Sequence, residues 1–250
     1  SSEEVSGTKN TLLGYGYSAG GASPGEPVTS RIDRIDYSND TANAVAKGNL
    51  PGNSPASYGI VEGAAVANND YGYFAGGNIY PAPDTSLISR LDYANDSTDT
   101  VAKGPLSQSR KYVGATGNLD YGYIVGGFPS ISTVDRIDYS NDTATAVAKG
   151  PLSAGRYGIG GAGTSSFGYF NGGGYKTFIE RIDYSNDTAN ATPKGNLSVQ
   201  RGRNGSTGNK NFGYHSGGYT GSGYTSTVER TTYNNDTAIG SPKGNLTTAA

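Results

Sequence analysis

The chain has 250 residues, of which 34% are hydrophobic and 16% are charged, and its formal net charge is −2. No segment approaches the run of about 18 apolar residues that spans a membrane, and the balanced charge is unlike that of a nucleic-acid surface. The chain has no cysteine, which excludes disulfides, zinc–cysteine sites and thiol nucleophiles.

The composition favours short strands joined by turns. Strand-forming residues alternate with clusters of Gly, Asn, Asp and Ser, and the 40 glycines follow no collagen-like period. We find no run with the period of a helix. The chain also lacks methionine, even at position 1, so we expect it to be processed or to be part of a longer protein or a larger assembly.

Three short motifs recur five times along the chain. The first is Tyr-Gly-Tyr or Phe-Gly-Tyr, followed two residues later by Gly-Gly, and it begins at Tyr15, Tyr71, Tyr121, Phe167 and Phe212. The second resembles Arg-Ile-Asp-Tyr-Ser-Asn-Asp and is centred on Tyr37, Tyr93, Tyr139, Tyr184 and Tyr233. The third is Lys-Gly-Pro-Leu or Lys-Gly-Asn-Leu and begins at Lys47, Lys103, Lys149, Lys194 and Lys243. Successive tyrosines of the second motif are 56, 46, 45 and 49 residues apart.

A period of this length, with four strand-like segments per repeat, predicts propeller blades rather than a helical solenoid. Strand A is small and Gly-rich, strand B holds the Tyr-Gly-Tyr motif, strand C ends in Arg-Ile-Asp-Tyr, and strand D runs to Lys-Gly. The Ser-Asn-Asp between strands C and D predicts a tight hairpin, because Asn and Asp tolerate positive φ.

We therefore predict an all-β fold, a five-bladed β-propeller with four antiparallel strands per blade, in a single domain of residues 1–250. Residues 5–10 resemble strand A of the first blade, so that every blade is complete; in a shifted frame they pair into the final blade instead. The predicted blades cover approximately residues 3–48, 58–104, 112–150, 157–195 and 202–245.

The motifs also follow the order of a kelch repeat. In the third repeat, Gly126-Gly127, Tyr139 to Asp142, Val147 and Pro151 to Arg156 stand where that family has a Gly pair, a turn, a Trp and a Pro-Met segment. The chain has no Trp, and Val45, Val101 and Val147 occupy its place. The repeated Asp-Tyr-Ser-Asn-Asp-Thr-Ala most resembles kelch-like arrays in tail and fibre proteins of marine bacteriophages. This resemblance implies an extracellular or virion-associated propeller.

Residues that occur in every repeat are interpreted as scaffold, because a catalytic residue normally occurs once. The arginines of strand C recur beside acidic residues, and we interpret them as a lattice of Arg–Asp hydrogen bonds; the alternative is a carboxylate pair for glycoside hydrolysis. These arginines are Arg34, Arg90, Arg136, Arg181 and Arg230. The single histidine, His215, is interpreted as a packing or polar substitution in strand B.

The Asn of each C–D hairpin lies in an N-glycosylation acceptor pattern, and these residues are Asn39, Asn95, Asn141, Asn186 and Asn235. Two interpretations stay open: the Asn serves only the turn, or it is glycosylated on an exposed hairpin. The same Asn and Asp oxygens suit calcium, but the pattern of a calcium loop is lacking. We predict no cofactor and no metal, with calcium as an alternative.

The strands alternate in direction, so the B–C and D–A loops of a blade are expected on one face. These loops vary in length and carry lone aromatic residues and arginines, which are favoured in recognition surfaces on rigid scaffolds. We predict ligand-binding residues Tyr80, Phe128, Tyr175, Tyr219, Tyr224, Arg110, Arg156, Arg201 and Arg203. The same loops also hold Lys111, Tyr112, Tyr157 and Phe178.

The sequence thus favours a non-enzymatic binding or adhesion module that recognises a cell-surface glycan or protein, as part of a phage fibre or another extracellular assembly. One alternative is a purely structural virion or filament component. Another is an enzyme that acts on polysaccharides, for which the acidic residues Glu26, Asp84 and Glu180 are candidates because they are not repeated. No catalytic residue is assigned.

Overall fold

A computed structural model describes residues 8–10, 14–22, 28–51, 59–80 and 83–249. In these residues the structure is all-β apart from five short 3-10 turns, and twenty of the strands form five four-stranded antiparallel sheets. The protein is a five-bladed β-propeller with four antiparallel strands per blade, as predicted.

Each of the five sheets, which are the blades, runs from strand A to strand D in chain order. The first consists of β1 (Thr8–Asn10), β2 (Tyr15–Ala19), β3 (Arg31–Asp36) and β4 (Val45–Asn49). The second consists of β6 (Ala64–Ala67), β7 (Tyr71–Ala75), β9 (Ile88–Asp92) and β10 (Val101–Ala102). The third consists of β11 (Gly114–Gly117), β12 (Tyr121–Val125), β13 (Val134–Asp138) and β14 (Val147–Ala148). The fourth consists of β15 (Gly160–Gly163), β16 (Phe167–Asn171), β17 (Ile179–Asp183) and β18 (Thr192–Pro193). The fifth consists of β19 (Gly205–Gly208), β20 (Phe212–Ser216), β21 (Thr227–Thr232) and β22 (Ser241–Asn245).

The N-terminal segment supplies strand A of the first blade. Its described part, β1, pairs antiparallel with β2, so that Thr8 lies opposite Tyr17 and Asn10 opposite Tyr15. This confirms the prediction that the first blade contains its own strand A. The rest of the predicted segment, residues 5–7, lies outside the described residues.

The second repeat contains a sixth sheet that the sequence did not predict. Strand β5 (Gly59–Val61) pairs antiparallel with β8 (Asn78–Tyr80). Both strands lie in connections that are longer in this repeat than in the next two, and the extra residues let the D–A connection pair with the B–C loop. A two-stranded sheet on these loops satisfies backbone groups that would otherwise need water.

The C–D hairpins lie where the sequence predicts them, but their backbone differs. The segment Tyr184–Asn186 forms a 3-10 turn, and the Asp183 carboxylate accepts a bond from Ser185 N at 2.9 Å. The residue that closes the turn, Asp187, has helical φ and ψ. The expected positive φ is therefore wrong, because the preceding Asp caps the turn and stabilises a right-handed conformation.

Glycine in strand A permits close approach of neighbouring blades. A Cβ on Gly161 of β15 would lie 1.9 Å from the carbonyl oxygen of Ala115 in β11. The Gly of the first four Lys-Gly motifs meets the next hairpin in the same way, since a Cβ on Gly150 would lie 1.8 Å from Ala189 O. Any larger residue at Gly161 or Gly150 has to displace backbone, which explains the small residues of strand A and the Gly of these four motifs.

In four of the five hairpins, one acidic side chain binds three donors of the preceding blade, whereas the equivalent Asp40 of the first hairpin is exposed. The carboxylate of Asp187 accepts bonds from the Tyr123 hydroxyl and the Arg136 guanidinium, both at 2.9 Å, and lies 3.2 Å from the Lys149 ammonium. Equivalent Tyr, Arg and Lys donors of strands B, C and D surround Asp96, Asp142 and Asp236. This confirms the predicted lattice and identifies its acceptor as the second acid of the hairpin.

The tyrosines of the lattice are also core residues. Tyr169 stacks on Tyr233 of the next blade with ring centroids 4.6 Å apart, and three equivalent pairs have centroids 4.8 to 5.0 Å apart. Burial and the bond to Asp236 raise the pKa of Tyr169 to about 12, so its hydroxyl stays protonated and donates. Stacked pairs of this kind add about 0.5–1.5 kcal/mol beyond the buried area.

The chain divides into two compact units. The first comprises Ser1–Lys111, Leu119–Gly122 and Ile137–Val147, and the second comprises Tyr112–Asn118, Tyr123–Arg136 and Ala148–Ala250. The lattice contacts of Asp96 and Asp142 lie within the first unit, and those of Asp187 and Asp236 lie within the second. No helix in the described ranges is long and apolar enough to cross a membrane.

Candidate functional site

Aromatic side chains from the connecting loops come together in the second unit. The B–C loops there are residues 126–133, 172–178 and 217–226, and the D–A loops are residues 149–159 and 194–204. Isolated β-bridges tie the two kinds of loop, since Lys176 pairs with Arg201 and Gly202 pairs with Tyr219. The predicted loop face of these blades is therefore one connected surface.

A row of five aromatic rings follows these loops. Successive ring centroids are 5.5 Å apart for Phe128 and Tyr157, 6.5 Å for Tyr157 and Tyr175, 5.6 Å for Tyr175 and Tyr219, and 5.2 Å for Tyr219 and Tyr224. All four contacts are edge-to-face, with interplanar angles of 64° to 78°. Tyr112 joins the row beside Tyr157, with 6.1 Å between centroids. We call these six residues the aromatic surface.

The aromatic surface is open to solvent. Phe128 is 44% exposed and Tyr224 is 47% exposed, while the other four rings are half-buried. Edge-to-face packing fixes each ring against its neighbour and leaves part of it free to contact another molecule. The sequence predicted Phe128, Tyr175, Tyr219 and Tyr224 as ligand-binding residues, and the structure brings all four together.

Backbone strain is concentrated at this surface. Tyr112, Tyr175 and Arg203 have φ values of 54°, 57° and 59°, in a region that non-glycine residues seldom adopt. In the described residues only Glu62, with φ of 64°, shares this property. A left-handed conformation costs a non-glycine residue about 1–2 kcal/mol, so the fold sustains a cost to hold these three side chains in place.

Three successive D–A loops are linked through their backbones at this point. Gly158 N donates to Tyr112 O at 2.7 Å, and Arg203 N donates to Gly158 O at 2.8 Å. These three residues occupy the same position of consecutive loops, and each has positive φ. Two of the three carry a large side chain where glycine would be unstrained, which indicates that the side chain itself has a role.

Three predicted ligand-binding arginines lie in the interior instead. Arg110, Arg156 and Arg201 are 0%, 3% and 0% exposed. Arg156 forms an ion pair with the Glu180 carboxylate, whose other oxygen accepts a bond from Ser153 N. The prediction that these arginines contact a ligand is wrong, because all three are buried and the guanidiniums of Arg156 and Arg201 bind groups of the scaffold.

Arg201 shows the scaffold role in detail. Its guanidinium lies 2.6 Å from the Glu229 carboxylate and donates to the carbonyl oxygens of Gly217 and Thr227, both at 2.9 Å. Burial lowers the pKa of Arg201, while the negative charge of Glu229 opposes the effect. Removing either partner of the ion pair would leave a buried charge without compensation. The bonds of Arg201 to Gly217 and Thr227 fix its D–A loop to both ends of the B–C loop.

Arg203 differs from these three, because its side chain is exposed. Its guanidinium lies over the ring of Tyr112, with 4.3 Å between Cζ and the ring centroid. A cation in this position is attracted by the negative face of the ring. The structure thus places a positive charge at the edge of the aromatic surface, as the sequence predicted for Arg203.

A small cleft opens beside Tyr157. It has a volume of about 180 Å³ and is lined by residues that include Ser130, Tyr157, Lys176 and Phe178. Ligand pockets that enclose a small molecule usually measure about 300–1,000 Å³, so this cleft suits one substituent of a ligand that rests on the surface. Sequence analysis had not singled out Lys176, although it directly follows the predicted Tyr175.

The remaining predicted residues are distributed as follows. The Tyr80 side chain lies outside the described part of the structure. The hairpin asparagines Asn39, Asn95, Asn141, Asn186 and Asn235 are all exposed. Their glycosylation stays a prediction. In the described residues no group of three or more His, Cys, Asp and Glu side chains is placed to hold a metal ion, and calcium also stays a prediction.

A scan against protein-family models and a search of curated proteins find no match to this chain. The fold and the site together define a five-bladed β-propeller with an aromatic loop surface in its second unit. The functional argument therefore depends on the geometry of that surface.

Proposed function

We propose that the protein is a non-enzymatic carbohydrate-binding module and that the aromatic surface is its binding site. The observation that carries the proposal is the row of five aromatic rings, joined by four ring contacts, and the strained loop residues on one connected surface. Aromatic rings offer an apolar area that matches the C–H faces of sugars, and tyrosine hydroxyls supply hydrogen bonds at the edges.

Rigidity of the surface supports the same proposal. The rings pack edge to face, the D–A loops are linked through backbone bonds, and the bonds of Arg201 to Gly217 and Thr227 fix neighbouring loops. Tyr also loses little side-chain entropy when it is immobilised. A site that is already ordered before binding loses less free energy on association, which favours recognition of a flexible saccharide.

The positions of the described non-repeated acidic residues support binding without turnover. Glycoside hydrolysis usually needs two carboxyl groups about 5–10 Å apart around the scissile bond. Glu180 is 1% exposed and forms an ion pair with Arg156, and Asp84 accepts a bond from Asn78 and lies 3.4 Å from the Lys111 ammonium. Glu26 lies outside the described residues. Neither described candidate is placed as a free acid on the aromatic surface.

The biological setting is a separate part of the proposal. We place the module on a phage fibre or in another extracellular assembly, because its repeats resemble kelch-like arrays of marine phage proteins. The exposed hairpin asparagines would carry glycans if the protein passed through a eukaryotic secretory pathway.

The test is a glycan array probed with the full chain, followed by calorimetric titration with the strongest ligand. Tyr224→Ala removes a ring that is 47% exposed at the end of the row. We expect an affinity loss of about fivefold or more, which corresponds to about 1 kcal/mol of lost contact.

The matched control is Tyr37→Ala. Tyr37 is also 47% exposed but does not belong to the aromatic surface, so its replacement should leave the affinity unchanged. Absence of any signal on the array, or equal affinities of the Tyr224→Ala variant and the unmodified protein, would argue against the proposal.

A further inference from the structure

The loops that carry the aromatic surface have an unusual charge composition. Residues 126–133, 149–159, 172–178, 194–204 and 217–226 contain no Asp or Glu, although the chain as a whole has 21 acidic and 19 basic residues. The same five loops contain six basic residues, Lys149, Arg156, Lys176, Lys194, Arg201 and Arg203. The charged residues of these five loops are therefore all positive, and the loop that carries Tyr112, residues 103–113, likewise contains no Asp or Glu.

Four of these six cations are bound to carboxylates of the scaffold. Lys149 and Lys194 belong to the lattice around Asp187 and Asp236, and Arg156 and Arg201 pair with Glu180 and Glu229. All four carboxylates are buried; those of Glu180 and Glu229 each pair with one arginine, whereas those of Asp187 and Asp236 also bind Arg136 and Arg181. The cations that face solvent are Lys176 and Arg203.

Both exposed cations lie next to Tyr157. Lys176 lines the cleft of about 180 Å³ together with Tyr157 and Phe178. Arg203 lies over Tyr112, whose ring is 6.1 Å from that of Tyr157. A sugar that stacks on Tyr157 thus lies near two positive charges, one of them at a cleft large enough for a single substituent.

A loop cation of the first unit shows the opposite arrangement. The Lys111 ammonium lies 3.6 Å from the Glu62 carboxylate and 3.4 Å from that of Asp84. Acidic side chains supplied by the neighbouring loops compensate this lysine at the surface. Lys176, by contrast, has no carboxylate within 4 Å among the described ion pairs. Of these two loop lysines, Lys176 is therefore the one whose charge no carboxylate of the described ion pairs compensates.

We infer that the aromatic surface selects an acidic saccharide, one that carries a carboxylate or sulfate group, and that Lys176 and Arg203 bind this group while Tyr157 and its neighbours stack on the sugar. The inference rests on the proposed function. Arg suits the group particularly well, because its planar guanidinium donates two parallel bonds to a carboxylate or sulfate. The strained backbone of Arg203 holds this guanidinium at the surface.

The experiment is calorimetric titration of the full chain with three probes: an oligosaccharide that contains glucuronate, its carboxyl-reduced neutral analogue, and a sulfated oligosaccharide of similar length. We expect an acidic probe to bind about tenfold more tightly than the neutral one, since exposed charges interact at this distance in dilute buffer. The difference should shrink as NaCl rises from about 50 mM to about 500 mM, where the screening length falls below 5 Å. Preference between the carboxylate and sulfate probes identifies which acidic group is bound.

Variants locate the effect. Lys176→Gln and Arg203→Gln should each weaken binding of the preferred acidic probe about fivefold and leave binding of the neutral probe unchanged, whereas Arg203→Lys should retain most of the preference. Lys210→Gln is the control. Lys210 is exposed on the A–B turn of the fifth blade, at the strand ends opposite to the B–C loop. Unchanged thermal unfolding verifies that the variants are folded.

The outcomes separate the two proposals. If the neutral and acidic probes bind equally, or if the glutamine variants bind the acidic probe as the unmodified protein does, the charge inference is wrong and carbohydrate binding stands. If no saccharide on the array or among the probes binds, both proposals are wrong. Loss of the preference in the Lys210→Gln variant would also contradict the assignment to Lys176 and Arg203.

Discussion

His215 is the single histidine of the chain and lies in strand B of the fifth blade, where other blades carry Ser18, Phe74, Ile124 and Phe170. It is fully buried, with Nδ1 3.2 Å from Ser206 Oγ and Nε2 3.0 Å from Thr231 Oγ1. Two hydroxyls thus satisfy both ring nitrogens. Burial, together with the positive charge of Arg201, lowers the pKa of His215 from 6.5 to about 3.

This pKa makes stability depend on pH. Between pH 6.5 and pH 3 the unfolded chain binds a proton at this residue and the folded protein does not, so the free energy of unfolding falls as the pH falls through that range. The loss should be about 1.4 kcal/mol per pH unit below 6.5. Urea unfolding at about pH 7.5 and about pH 5.5 measures this loss of stability, because both pH values lie above the range in which most carboxylates titrate.

The comparison variant is His215→Gln, which can bond both hydroxyls but does not titrate. Over the same pH interval its free energy of unfolding should fall less than that of the unmodified protein, and the difference should be about 1 kcal/mol or more. Equal pH dependence in the two proteins would show that His215 is not held in its neutral form.

The arginines show why sequence alone misassigned part of the site. Arg156 and Arg201 lie in loops beside tyrosines, which is typical of a recognition surface, but their carboxylate partners are 24 and 28 residues further along the chain. The sequence did contain a signal for the buried pairs. Glu180 and Glu229 occupy the same position of strand C, and this position is Asp in the first and third blades and Ser89 in the second. The aromatic residues were easier to predict, because their number and loop positions required no distant partner.

At the scale of elements, the hairpin acid is the unit that joins one blade to the next. Asp142 is buried, accepts bonds from the Tyr73 hydroxyl and the Arg90 guanidinium, and lies 3.1 Å from the Lys103 ammonium. Asp142→Asn removes the negative charge but preserves the size of the side chain. We expect the free energy of unfolding to fall by about 2–3 kcal/mol, because two partly buried cations lose their counter-charge.

The control for this change is Asp40→Asn. Asp40 closes the first hairpin with φ of −73°, matching −72° at Asp142, but its side chain is exposed. Its substitution should change stability by less than about 0.5 kcal/mol. Equal effects of the two substitutions in urea unfolding would assign the cost to the turn and contradict the role of the lattice.

Elements with a counterpart in every repeat could be predicted, and the exceptions have a physical cause. Strands B and C and their hairpin recur five times, so comparison within the chain located them. The β5–β8 sheet could not be found in this way, because β5 lies in a D–A connection that is longer than those before the next three blades and its extra residues have nothing to align against. The 3-10 geometry of the hairpins was missed because Asp caps such as Asp183 stabilise it in four of them and compete with the turn that Asn-Asp usually favours, while the fifth adopts it without a side-chain cap at Thr232.

At the scale of the whole molecule, stability is distributed over repeated contacts. Four hairpin acids each collect donors from strands B, C and D of one preceding blade, and they share none of these partners. Proteins built from stacked repeats have stabilities that approximate a sum of repeat and interface contributions. The aromatic surface can therefore differ between loops without weakening the lattice, which explains how uniform hairpins and varied B–C loops coexist in one chain.

Additivity of lattice substitutions tests this picture. Asp142 in the first unit binds Tyr73, Arg90 and Lys103, whereas Asp236 in the second binds a separate set from the fourth blade. Because the two sites share no partner, the double variant Asp142→Asn with Asp236→Asn should lose the sum of the two single losses, within about 0.5 kcal/mol. Urea unfolding of the four proteins measures the cycle, provided that their m-values agree. A coupling above about 1 kcal/mol would mean that the lattice behaves as one cooperative structure instead of a set of independent joints.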